Sequence, residues 1–322
     1  MRDTDYAFCV ARIRANEKRL LDKKIISKLV ESDSYDSALS LLVDAGWIEA
    51  GTENENFIKK QSVGLWRLLS DSIPDKSALE GLCILNDYFN IKTAIKCIIG
   101  GENAELYYME PSTLQLDKLC RSIDSRAYDV LKNERMKKAA ISAFETACMT
   151  NNGQSAEIIV DVAALEALLE IAEKSKYKTF SKICGFTVDA SNIRTAIRCS
   201  IIGKNYDFIA SAVSDCSKIS KDRLVKEASA GCDSLRNYLS AGVYSEGTEL
   251  YYINPAFYDK WFDAQLLEIA TQSGFTSFGF DPVCAYFYKK TNEIKTVKLI
   301  LSAKKSGVPV EVLRERVKTD YA

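Results

Sequence analysis

The sequence predicts an all-α fold of three pseudo-repeated helical domains. Three observations carry that expectation: few helix breakers, apolar residues at helical spacing, and a motif that recurs about every hundred residues. Only 5 Pro and 15 Gly occur in 322 residues, and both types interrupt helices. That length exceeds the usual single domain of about 100 to 200 residues, so two or three units are expected.

The recurring motif reads Asp87-Tyr-Phe-Asn90-Ile91-Lys92-Thr93-Ala94-Ile95-Lys96, then Asp189-Ala-Ser-Asn192-Ile193-Arg194-Thr195-Ala196-Ile197-Arg198. A weaker third copy reads Glu293-Ile-Lys-Thr296-Val297-Lys298-Leu299-Ile300-Leu301. The offsets are 102 and 104 residues, and each copy reaches a glycine eleven residues after its Asn or Thr, at Gly101, Gly203 and Gly307. A second echo, Leu168-Leu-Glu-Ile-Ala172 and Leu266-Leu-Glu-Ile-Ala270, has an offset of 98. Such self-similarity marks a repeat architecture. The expected domains are 1–120, 121–225 and 226–322.

Within each copy the apolar positions recur at helical spacing, and the glycine stands where a helix C-cap belongs. Asn90 and Asn192 are poor helix-interior residues and are expected to satisfy backbone groups of a neighbouring segment. Lys92, Arg194 and Lys298 follow a buried-face position directly, so they serve either packing between units or a partner surface around a pseudo-threefold axis. A period near one hundred is too long for the common helical solenoids, which favours closure around an axis.

The remaining segments read similarly. Tyr6 to Val30 is expected to be one long amphipathic helix. Ser37 to Trp47 follows Asp36 as N-cap and ends near Gly46. Trp47 and Trp66 are expected core anchors, and core filling is the preferred role for the aromatics between Tyr251 and Phe262.

Composition restricts the chemistry. Lys plus Arg number 43 and Asp plus Glu 44, so no bulk field draws the chain to nucleic acid. Residues 1–28 nevertheless carry +4 and residues 289–322 carry +5, leaving −10 between them. The absence of histidine removes Ser-His and Cys-His nucleophile pairs and every His-containing zinc site. Ten dispersed cysteines form no CxxC pair, and Cys97 and Cys199 read as small hydrophobes. Around Gly203-Lys204, Arg198 and Asn205 occupy positions where a phosphate loop needs Gly and Ser or Thr, so direct nucleotide binding is not expected. No cofactor, metal or catalytic residue is assigned. With no apolar run near the roughly 20 residues of a membrane span and no apolar signal core in the first residues, a cytoplasmic, at most peripheral, location is expected.

Finally, Tyr6…Ala11-Arg12-Ile13-Arg14-Ala15…Glu17…Leu20-Leu21, the recurring D-x-x-N-[IV]-[KR] helix, and Glu293…Val297-Lys298…Lys304…Gly307-Val308-Pro309…Glu311…Arg314…Arg316 resemble the C subunit of prokaryotic V-type (A-type) ATPases, whose eukaryotic counterpart is the d subunit. The resemblance runs from the first motif to the last. It implies a funnel-shaped, non-catalytic rotor subunit with approximate threefold symmetry on the cytoplasmic side of the membrane. Its implied partners are the proteolipid ring and the central-axle D and F subunits, with torque passing between them. Lys92, Arg194, Lys298, Arg12 and Arg14 are the expected partner-binding residues. A helical-repeat adaptor of another cytosolic complex explains the repeat but not the terminal motifs, and a hydrolase using two carboxylates explains neither.

Overall fold

A buried acid needs donors, and three long helices of this chain each receive them from another stretch of chain. The computed structural model describes residues 2–49, 57–131, 133–150, 153–272 and 278–317. Among them are the helices α1 (Ala7–Glu17), α2 (Lys23–Glu31), α3 (Tyr35–Asp44), α4 (Phe57–Ser70), α5 (Lys76–Gly100), α6 (Leu116–Asp124), α7 (Glu134–Thr150) and α8 (Gly153–Lys174). They are followed by α9 (Lys178–Ile201), α10 (Tyr206–Ala212), α11 (Lys221–Ala230), α12 (Cys232–Leu239), α13 (Ser245–Ile253), α14 (Pro255–Gln272), α15 (Asp281–Lys305) and α16 (Val310–Arg316). The fold is all-α across the described residues, with two short 3-10 turns at Asp3–Tyr6 and Ala104–Leu106.

Contacts gather the chain into two compact units, one of residues 1–75 with 249–322 and one of residues 76–248. In the second unit α8 packs against both α5 and α9. An apolar cluster of this unit joins Tyr88, Ile91 and Ile95 of α5 to Leu119, Phe144 and Val160. In the first unit α15 receives α1, α3, α4 and α14, and Val297, Ile300 and Leu301 pack with Leu29, Leu42 and Trp47.

The three motif copies lie on α5, α9 and α15, which are 25, 24 and 25 residues long. All three end alike. Gly101, Gly203 and Gly307 take φ of +67°, +67° and +68°, the left-handed conformation that glycine adopts without a Cβ clash. The next amide then turns back onto the last helical turn: Glu102 N donates to Cys97 O at 2.9 Å, Lys204 N to Cys199 O at 3.0 Å and Val308 N to Ala303 O at 2.9 Å. Cys97 and Cys199 thus occupy one pseudo-equivalent buried position, which Ala303 fills in the third copy. The repeated Leu-Leu-Glu-Ile-Ala segments lie on α8 and α14, the helices that precede and pack against α9 and α15.

The asparagines do what their helix-averse chemistry predicts. Asn90 accepts from Met109 N at 2.8 Å and donates to Met109 O at 2.9 Å. Asn192 accepts from Ser214 N at 3.0 Å and donates to Ser214 O at 3.2 Å. One turn earlier, the buried acids hold the same return segments. Asp87 accepts from Thr113 N at 2.8 Å and from Thr113 Oγ1 at 2.6 Å. Asp189 accepts from Ser217 N at 2.6 Å, Lys218 N at 2.9 Å and Tyr244 Oη at 2.8 Å. Gly185 permits this approach in α9, since a Cβ there would meet Ser217 Oγ at 2.5 Å. In the third copy Glu293 accepts from Leu21 N at 2.6 Å and Trp47 Nε1 at 2.7 Å, and Thr296 is buried where the other copies have Asn.

Two local expectations are corrected. Tyr6 to Val30 is not one helix: α1 stops at Glu17 and α2 begins at Lys23. Asp22, in extended backbone, caps α2 by accepting from Ile25 N at 2.8 Å, and the Leu21 amide is diverted to Glu293. The cap of α3 is Ser34, which accepts from Ser37 N at 3.1 Å, and Asp36 lies inside the helix. Trp47 is buried as expected, whereas Trp66 is only half-buried. Among the later aromatics, Tyr251, Tyr258 and Trp261 are buried.

Removing a buried acceptor strands its donors, so Asp189→Ala should cost about 3 kcal/mol in urea unfolding. Retention of full stability would remove the acid from its structural role. Burial is the largest influence on Asp87 and Asp189 and pushes both above the usual carboxylate range, against the pull of their hydrogen bonds. A raised acid holds its proton to higher pH in the folded state. Its contribution is therefore fullest below the unfolded value of about 4 and is lost as pH rises through the folded value. The stability margin of wild type over Asp87→Asn should accordingly be wider at about pH 4 than at pH 7, and a margin independent of pH would contradict this.

Candidate partner-binding surface

A base placed just outside the buried stripe of a helix can either close a neighbouring helix or reach outward, and acid partners decide which. Lys92, on α5, donates to Asp161 Oδ1 of α8 at 2.6 Å, and its Nζ lies 5.6 Å from the Phe89 ring centroid. One turn on, Lys96 meets Glu157 of α8 at 2.7 Å; that hydrogen bond holds the Lys96 ammonium above the ordinary lysine value. Both α5 bases therefore sew α5 to α8. The Lys92 side chain is 18% exposed against 56% for Asp161, so water screens the pair and its value is at most about 1 kcal/mol.

Arg194 is half-buried on α9, which packs on the same α8. Lys298 is exposed on α15 and makes no ion pair among the described residues. Lys92 and Arg194 thus belong to one unit and Lys298 to the other. The two α1 arginines lie on a helix that packs against α15. Arg12 donates to Ser72 Oγ at 2.5 Å and lies over Phe8 with 5.6 Å to the ring centroid. Arg14 pairs with Glu17 at 2.7 Å. Of the five residues, Lys298 and Arg14 are exposed, and Lys92, Arg12 and Arg14 each have an internal partner.

A second set of outward residues went unassigned in the sequence. Beside the glycine caps of α5 and α9, Ile99, Ile201 and Ile202 are 44%, 53% and 55% exposed. Ile99 and Ile201 stand at equivalent positions, and after α5 Leu106 and Tyr107 are also exposed. At the corresponding end of α15 stand Lys304 and Lys305; Lys304 donates to Val30 O at 2.7 Å and to Ser32 O. The signal was present: an apolar residue two places before a C-cap glycine has no helical neighbour left to cover it. Among the described residues, no helix is long and apolar enough to cross a membrane.

Lys298→Glu should leave unfolding stability within about 0.5 kcal/mol of wild type. The Lys92→Met/Asp161→Leu double-mutant cycle should give a coupling below about 1 kcal/mol. A larger cost for Lys298→Glu would place that residue inside the fold's own support.

The chain matches known proteins over nearly its whole length. The family model described as "ATP synthase (C/AC39) subunit" matches residues 9–316. The C subunit of the V-type sodium ATPase of Enterococcus hirae is 22% identical over 325 residues, covering 96% of this chain and 97% of that protein. The C subunit of the A-type ATP synthase of Methanocaldococcus jannaschii is 23% identical over 342 residues, covering 96% of this chain and 85% of that protein. The match spans both compact units and all three motif copies, and the chain belongs to the ATP synthase (C/AC39) subunit family, as a non-catalytic component of the rotary ATPases.

Proposed function

We propose that this chain is the central-stalk coupler of a rotary ATPase, joining the membrane proteolipid ring to the D and F axle subunits and passing torque between them. The observation that carries the reading is the thrice-built helix: α5, α9 and α15 share nearly one length, one glycine cap and one buried acid. A protein that transmits torque must resist deformation along several directions, and three long helices locked in the same manner supply stiff elements for that task. The division into three domains near residues 120 and 225, their closure into a funnel about an approximate threefold axis, and a seat on the cytoplasmic face of the membrane belong to the same proposal. The sequence offsets of 102 and 104 support it.

In this reading Arg194 and Lys298 face the axle or the ring, with Arg12 and Arg14 flanking, and Lys92 acts through α8. The exposed isoleucines at the ends of α5 and α9 offer apolar contacts, and an interface that carries load is expected to bury more than the roughly 1,600 Å² of a standard complex.

Affinity purification of the tagged chain from its own cells should recover ring and axle subunits in stoichiometric amounts. Other partners in their place would sink the proposal. In the assembled complex, Arg194→Glu with Lys298→Glu should reduce ATP-driven ion transport by at least about tenfold while the catalytic subunits still hydrolyse ATP. Unchanged transport and assembly would assign both bases to the fold alone.

A further inference from the structure

The first unit contains a cavity of about 330 Å³ beside α1, α4 and α15, within the range of small-molecule sites. Its least expected feature is Lys290, a cation only 9% exposed. A buried charge is costly to keep unless its partners compensate it. Lys290 gives one N–H to Glu293 and stands 5.3 Å from the Trp47 ring centroid, whereas an ammonium carries three donors.

Glu293, the partner of Lys290 in a buried ion pair, has further donors. It already accepts from Leu21 N and Trp47 Nε1. In the other two copies the equivalent positions are Ile84 and Phe186, and Asp87 and Asp189 are satisfied by neutral hydroxyl and amide donors. The ammonium is an addition of the third copy, and it lines the cavity.

Other basic and donor groups converge on the same space. Arg19 and Lys60 line it from exposed positions and make no ion pair among the described residues. Burial, with Glu293 and Glu17 nearby, pushes the Tyr286 hydroxyl up to about 12, so it remains a donor. Glu49 is the single acid among the described lining residues, against three bases. The rest of the wall combines the amides of Asn16 and Gln61 with the apolar side chains of Trp47, Phe57 and Leu65.

We infer that this cavity binds a small organic anion with an apolar body, an aryl or alkyl phosphate or carboxylate. Its charged end meets Lys290, Arg19 and Lys60, and its apolar end lies along Trp47 and Leu65. An anion bound there touches α1, α4 and α15 together. The inference does not depend on the coupling role proposed above.

Isothermal titration of the full chain with phenyl phosphate tests it. One saturable site is expected, with inorganic phosphate and phenol each binding at least about tenfold more weakly, because each supplies only half of the recognition. Lys290→Met should weaken phenyl phosphate by at least about tenfold. Since Lys290 is buried and its replacement can disturb the fold, the Arg19→Gln/Lys60→Gln variant at exposed positions gives an independent reading and should weaken binding similarly. Absence of saturable binding to the wild-type chain, or binding undiminished in the Arg19→Gln/Lys60→Gln variant, overturns the inference.

Discussion

A buried carboxylate in the middle of a long helix is the constraint from which most of this structure follows. Asp87, Asp189 and Glu293 are each under 10% exposed, and an acid in that setting is tolerable only if donors reach it. Backbone donors on its own helix are already committed to the helical ladder. Donors therefore come from another stretch of chain, and that stretch becomes fixed against the helix. In α5 and α9 the amide side chain one turn later, Asn90 or Asn192, holds the same stretch by a reciprocal pair of bonds. The long helices are thereby anchors for irregular backbone as well as apolar columns.

The third copy solves the same problem with different parts. Glu293 is one methylene longer than its equivalents, and besides Lys290 of its own helix its donors are residues 21 and 47, 272 and 246 positions away. Lys304 of the same helix binds the backbone carbonyls of Val30 and Ser32, and Arg314 pairs with Glu31. Where α5 and α9 fix segments that come later in the chain, such as residues 109–113 and 214–218, α15 fixes segments from the opposite end of the numbering. The loss of the Asp and Asn identities in this copy accompanies that change of partner.

The sequence revealed the helices, their glycine caps and the asparagine contacts because each depends on local chemistry at fixed spacing. Left-handed glycines and helix-averse amides declare themselves within one turn. The break between α1 and α2 was hidden, since Leu20 and Leu21 continue an apolar pattern and the amide that ends it is claimed from residue 293. The pairing of Lys92 with Asp161 was equally hidden: both residues look like surface charges, and only the packing of α5 on α8 brings them within 2.6 Å. The bases of the candidate surface were thus legible as positions, while their partners were not. Exposed Ile99 and Ile201 were masked by lying in apolar runs that also hold the buried Cys97 and Cys199.

The dependence of Leu21 and Trp47 on Glu293 also imposes an order in time. A ribosome extends the chain from its amino end at about 5 to 20 residues per second. Residues 76–248 can emerge and assemble their own contacts while synthesis continues. The amide of Leu21 and the indole of Trp47 must wait until the codon for Glu293 has been translated and α15 has cleared the exit tunnel. For more than about ten seconds by that rate, the opening helices exist without the helix that completes their core, and their apolar faces are then the part of the nascent protein most open to chaperones.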